Sequence, residues 1–196
     1  TTVSMGRSRI FLKIDISEGV VAKVRRISIV GNHVFDERTL IKQMDLTTSG
    51  IFTVFSQTDR YSEEKLESSL EKLRTFYYDR GYIRYEAKSY QAQMTPDRKS
   101  VYITIVVDEG QPYIIKDFVI EGQTIIPKEE LLEKIPVKRG NVFSRQCVID
   151  SEKIITKCLG NKGYLFANVT LNPKVDDKTR EVVLVFHITP GKRVYV

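Results

Sequence analysis

The chain has 196 residues, 41% of them apolar and 29% charged, the proportions of an ordinary globular protein. No run approaches the ~20 apolar residues that a membrane-crossing helix needs, and the polar residues 1–9 do not read as a signal peptide. The net charge of +6 comes from Lys and Arg interleaved with acids in both halves, which describes a mixed solvated surface and not the basic cluster of a phosphate-binding face.

The first element is the apolar run Ile10, Phe11, Leu12, Lys13, Ile14, Asp15, Ile16, which ends shortly before Gly19. It lies over residues 101–110 at an offset of 91. Residues 1–20 are therefore expected to hold the last strand of a preceding module whose other parts are missing. Its apolar groups are expected to seek a sheet edge in trans, in a neighbouring copy.

Residues 21–110 then read as one full β-α-α-β-β module. A strand over 23–30 ends at Gly31, and a first helix is predicted over 36–44. A second helix is capped by Ser62, with Glu63 and Glu64 near its positive end. Its buried stripe is Leu66, Leu70, Leu73 and Tyr77, and Gly81 ends it. A strand over 82–94 and another over 101–108 flank the turn residues 95–99.

Residues 111–191 repeat the pattern. Asp117, Phe118, Val119, Ile120, Glu121 and Gly122 lie over residues 26–31 at the offset of 91, and the offset falls to 82 at Lys162-Gly163-Tyr164, which matches Arg80-Gly81-Tyr82. The first copy therefore carries a nine-residue insertion around residues 53–61. In the second copy Pro127 is expected at the first position of a helix over 128–134. A longer helix follows from Ser144 with Val148, Ile155 and Leu159 on one face, then a hairpin over 164–171 and 181–188. Residues 192–196 would open a further module. The fold class is α/β (α+β): tandem two-layer modules, each a three-stranded mixed sheet in the order first, third, second, covered by two helices.

Chemistry-bearing residues are sparse. His33 and His187 stand away from any Cys or carboxylate at metal-ligand spacing. Cys147 and Cys158 fall in one predicted helix about 16 Å apart, beyond disulfide reach and on nearly the same face, as core thiols would. The acidic pairs Asp108-Glu109 and Asp176-Asp177 sit at strand ends and turns. Neither a phosphate-cradling loop nor a catalytic constellation is visible, so the chain is expected to be no enzyme and to need no cofactor or metal. A pair of KH-like RNA-binding domains would share the β-α-α-β core, but the interhelical segments hold only the single glycines Gly50 and Gly140 in place of a GXXG loop.

The order Ile27-Ser28-Ile29-Val30-Gly31-Asn32-His33-Val34-Phe35, then Tyr78-Asp79-Arg80-Gly81-Tyr82, then Asp108-Glu109-Gly110 resembles the POTRA family, the polypeptide-transport-associated domains. The first copy resembles a third domain of such an array and the second copy a fourth. Copy two departs from the pattern at Gln123, Ile126 and Asn161-Lys162. The resemblance implies an array at the periplasmic face of the bacterial outer membrane, beside adjacent POTRA domains and ahead of a C-terminal membrane barrel. It implies a scaffold for assembly and insertion of β-barrel proteins, whose partners are unfolded outer-membrane clients and accessory lipoproteins, with no nucleic acid and no small molecule. A POTRA-bearing transporter or cell-division protein is the alternative within the same family.

An exposed strand edge offers unpaired N–H and C=O groups to which an extended peptide can add with little demand on sequence. The charge-interleaved second strand of the first copy is the expected edge. The residues expected to bind partners there are Ile83, Arg84, Tyr85, Glu86, Ala87, Lys88, Ser89, Tyr90 and Gln91.

Overall fold

Two modules of the same topology account for the described structure, a computed structural model that describes residues 2–4, 10–12, 21–48 and 58–192. Ahead of them, β1 (Thr2–Ser4) and β2 (Ile10–Leu12) form an antiparallel pair. The predicted strand at residues 10–16 thus has a partner in its own chain over residues 10–12, while Lys13, Ile14, Asp15 and Ile16 lie outside the described residues.

Module one runs β3 (Lys23–Val30), α1 (Glu37–Ile41), α2 (Glu63–Tyr78), β4 (Glu86–Met94) and β5 (Ser100–Asp108). Module two runs β6 (Ile114–Gly122), α3 (Lys128–Lys134), α4 (Arg145–Gly160), β7 (Asn168–Asp176) and β8 (Glu181–Thr189). The sheet orders are β3-β5-β4 and β6-β8-β7, the first strand parallel to the central one and the hairpin antiparallel. This is the predicted first, third, second order.

Local chemistry explains the elements. Ser62 and Ser144 accept from the amides of Lys65 and Cys147, which satisfies N–H groups that have no partner inside the helix. Pro127 stands one position earlier than expected, as the N-cap of α3, and makes no side-chain cap bond. The helix stripes meet the alternating buried residues of the central strands: Leu66, Leu73 and Tyr77 lie over Val101, Ile103 and Ile105, and Val148, Ile155 and Leu159 over Val182, Leu184 and Phe186. Each core lies between its helices and one face of its sheet. Cys147 and Cys158 are half-buried free thiols packed against the second core.

The first strand of each module ends at a glycine for a steric reason. Gly31 and Gly122 have φ of +92° and +91°, and a Cβ at either would stand 2.2 Å from the carbonyl oxygen of Val107 or Ile188 on the central strand.

The predicted strand over 82–94 begins four residues late. After Gly81, Tyr85 N donates to Tyr82 O in a further turn, so Ile83, Arg84 and Tyr85 precede the sheet instead of belonging to it. The second module repeats this delay, with Ala167 N donating to Tyr164 O before β7 opens at Asn168. Alternation alone cannot distinguish a turn of mixed polarity from the first residues of an edge strand.

Candidate functional site

The sheet in module one has two outer strands, and they differ in availability. The start of β3 is covered by its own module: Val24 N donates to Asp59 O at 2.8 Å and Tyr61 N to Ala22 O at 2.9 Å. β4 is bonded on one side by β5 and, among the described residues, lies at the edge of the sheet. The register across this pair places Tyr90, Ala92 and Met94 opposite the buried residues Ile105, Ile103 and Val101. These three side chains therefore project toward the helix layer. Yet Tyr90 is 48% and Met94 50% exposed. Gln91 and Gln93, opposite Thr104 and Tyr102, take the open face. The edge thus carries an apolar row on one side and a polar row on the other.

A groove of about 250 Å³ runs between α2 and β4, lined by Leu70, Glu71, Arg74, Tyr85, Ala87 and Tyr90 among others. Tyr85 is 3% exposed, its ring stacked on Tyr77 at 4.1 Å between centroids, and its hydroxyl has no hydrogen-bond partner among the described residues. Burial pushes that hydroxyl up to about 12. The hydroxyl therefore stays protonated at neutral pH, buried beneath the groove.

The nine edge residues expected from sequence divide into three groups. Ser89, Tyr90 and Gln91 lie on regular β4, which continues through Ala92, Gln93 and Met94. Glu86, Ala87 and Lys88 sit where the ladder slips, because the register shifts between Ala87 and Ser89 and leaves Lys88 as a bulge. Lys88 pairs there with Glu86 at 2.6 Å and with Asp108 at 3.6 Å. Ile83, Arg84 and Tyr85 serve other purposes: Tyr85 floors the groove, and the other two form the joint between modules.

That joint was not visible in the sequence. Ile83 packs against the core of module two. Arg84 donates from Nε and Nη2 to the two carboxylate oxygens of Asp177, both at 2.9 Å, and Tyr113 donates its hydroxyl to the same carboxylate at 2.5 Å. These partners, Arg84 first, hold the Asp177 carboxyl below the usual carboxylate range. Backbone bonds complete the contact: Tyr113 N donates to Gly81 O at 2.9 Å, and Gln146 N, in the first turn of α4, donates to Asp79 Oδ1 at 2.7 Å.

Sequence reading also missed a buried latch. Glu109, 6% exposed, accepts from His33 N at 2.7 Å and Val34 N at 2.9 Å through Oε2, and from the Tyr77 hydroxyl at 2.7 Å through Oε1. It ties the closing strand to the loop after β3 and to α2. Burial and this carboxylate both push the Tyr77 hydroxyl far up. The signal lay in the repeat itself. At the offset of 82 Tyr77 meets Leu159, and at 81 Glu109 matches Pro190, so the hydroxyl and the carboxylate are both replaced in the second copy.

Among the described residues no group of His, Cys, Asp and Glu could hold a metal ion, and no helix is long and apolar enough to cross a membrane.

Comparison with known proteins agrees with this architecture. The sequence model of POTRA, described as surface antigen variable number repeat, matches residues 22–110 and 113–191. The outer membrane protein assembly factor BamA of Neisseria meningitidis serogroup B is 32% identical over 193 residues, 98% of this chain and 24% of that protein. BamA of Buchnera aphidicola is 30% identical over 186 residues, 94% of this chain and 30% of that protein. The chain thus spans about a quarter to a third of the length of these curated relatives. Among solved structures, Haemophilus influenzae BamA POTRA3-5 superposes with a TM-score of 0.73 at 24% identity, covering 90% of this chain and 69% of that one. Haemophilus ducreyi BamA lacking POTRA domains 1–3 superposes at 0.65 and 16% identity, covering 85% and 29%. The chain belongs to the POTRA family, as two tandem POTRA domains.

Proposed function

We propose that this chain is a non-enzymatic periplasmic scaffold in outer-membrane protein assembly, and that it holds client strands and accessory lipoproteins by strand addition on β4. The observation that carries the reading is the open edge with its two-sided chemistry: Tyr90, Ala92 and Met94 toward the helix layer, Ser89, Gln91 and Gln93 on the other side. Strands of outer-membrane barrels alternate apolar and polar residues with a period of two. Such a strand, added to β4, puts its apolar side chains against the exposed Tyr90 and Met94 and keeps its polar ones in water. Backbone bonds supply affinity without a fixed sequence, as a factor serving many clients requires. The relatives' role as outer membrane assembly factors supports the same reading. The docking stretch is residues 89–94, because the bulge and the ion pairs at Lys88 interrupt the ladder before it.

The test uses proline at two neighbouring positions, Gln91→Pro and Ala92→Pro. Successive residues of a strand point their N–H groups to opposite sides, so one substitution removes a ladder bond to β5 and the other an outward donor. The variant that keeps its fold by circular dichroism is the outward one. Its affinity for an extended peptide of alternating pattern, measured by fluorescence anisotropy, should fall at least tenfold. Unchanged affinity in that folded variant rejects strand addition at β4.

A further inference from the structure

The groove beside β4 has two walls, and the one built by α2 is acidic. Glu63, Glu67 and Glu71 recur at intervals of four residues, a spacing that sets them along one flank of the helix about 6 Å apart. Glu71 lines the groove with Leu70 and Arg74. Toward the other end of the row, burial raises the Tyr61 hydroxyl, and Glu63 and then Tyr90 add to the shift, so the helix carboxylate and the edge residue both act on one side chain. Glu86 contributes a further carboxylate from the strand side. The cations here are already engaged: Arg74 pairs with Glu71 at 3.3 Å, and Lys88 with Glu86 at 2.6 Å. Glu67 is exposed and enters no ion pair among the described residues.

The second module lacks this wall. At the offset of 82, Glu63, Glu67 and Glu71 become Arg145, Ile149 and Lys153 on α4, and Glu86 becomes Asn168. The carboxylates therefore accompany the open edge of β4. The helix beside β7, the strand that carries Pro173, has two cations and an isoleucine in their place. The core contacts of α2 do not call for the row, because they come from Leu66, Leu73 and Tyr77.

We propose, on the basis of strand addition at β4, that this row of carboxylates makes the edge selective for extended segments that carry lysine or arginine within their apolar row. A strand added to β4 points that row toward Tyr90 and Met94 and on to the flank of α2. A lysine or arginine there lays its methylene stem over the apolar residues and carries its charged head to the carboxylates. A glutamate at the same place meets like charge. The chain as a whole carries +6, so its net charge favours acidic peptides, and a preference for basic ones has to come from the local row.

The test compares three extended peptides of one length and one alternating pattern, with leucine, lysine or glutamate at the central position of the apolar row, by fluorescence anisotropy. At about 0.05 M salt the lysine peptide should bind at least roughly fivefold more tightly than the glutamate peptide, and the gap should narrow to less than about twofold at about 1 M salt. Glu67→Lys, with its fold checked by circular dichroism, should remove the preference while the leucine peptide keeps its affinity. Equal binding of the lysine and glutamate peptides, or tighter binding of the glutamate peptide, overturns the selectivity. So does a gap that survives at high salt or in Glu67→Lys. In each of these cases strand addition still stands if the outward proline variant of β4 weakens the leucine peptide. A leucine peptide indifferent to that proline removes strand addition and the selectivity together.

Discussion

The two outer hairpin strands, β4 and β7, occupy the same place in the same topology and offer opposite surfaces. β4 has no proline from Glu86 to Met94, and its helix-side row is exposed at Tyr90 and Met94. β7 carries Pro173 opposite Leu184 in mid-strand, and its helix-side residues Val169, Leu171 and Val175 are half-buried against the core. Proline within a sheet is tolerated at an edge with its nitrogen facing out, so Pro173 interrupts the row of donors that an added strand would need. One module thus presents an edge and the other closes it. A repeat can keep its fold while leaving the edge open in one copy and closing it in the other.

The interiors differ in step with the edges. Module one is aromatic, with Phe35, Phe76, Tyr77, Tyr82 and Tyr85 in edge-on or stacked contact, and is locked by Glu109. The matching positions in module two are Ile126, Cys158, Leu159, Tyr164 and Ala167, closed by Pro190. The Tyr85 hydroxyl, buried beneath the groove beside β4, has no counterpart at Ala167. The groove and the latch belong to the same module and share the Tyr77–Tyr85 stack.

The difference between the modules is broken most severely at the latch. Glu109→Ala leaves the buried Tyr77 hydroxyl and the part-buried amides of His33 and Val34 without their acceptor and should destabilise module one by about 3 kcal/mol. Scanning calorimetry should show the module-one transition falling by roughly 15 °C while the module-two transition stays within a few degrees. Equal movement of both transitions would mean that the joint, and not the latch, couples the modules.

Restoring a donor to the second edge sharpens the contrast. Pro173→Thr should give β7 a weak capacity to take an extended peptide, well below that of β4 because α4 still covers its helix-side row. Titration of the alternating peptide should then report a second, weaker site. A variant that binds as tightly at β7 as at β4 would show that proline alone closed the edge.

The smallest effect is at the joint and depends on pH. Asp177 is held below the usual carboxylate range by Arg84 and then Tyr113, so its contribution is present above the unfolded value of about 3.9 and is lost as pH falls through the lower folded value. Between neutral pH and about pH 4 the angle between modules, read by a pair of spin labels, should not change. Below that range it should broaden, and Asp177→Asn should produce the broadened distribution already at neutral pH.

Much of the fold was legible because it is written locally and written twice. The spacing of Leu66, Leu70, Leu73 and Tyr77 marks a helix, Ser62 and Ser144 mark its start, and the copy at offsets of 91 and 82 confirms each element independently. The edge was legible as well, through the interleaved charges of β4, although it was placed too early. Ile83, Arg84 and Tyr85 alternate in polarity like the strand they precede, and only the turn closed by Tyr85 N onto Tyr82 O removes them from it.

The sequence by itself therefore determined the module, its repetition and the strand order, since these follow from periodicity and turn chemistry within a few residues. The tertiary structure alone decided where the edge strand begins, which carboxylate is a latch and which residues join the modules. Those decisions rest on pairs far apart in the chain: Tyr77 with Glu109 is separated by 32 residues and Arg84 with Asp177 by 93. Such pairs have no period and no motif. They arise only when two elements, each folded for its own local reasons, are packed against each other.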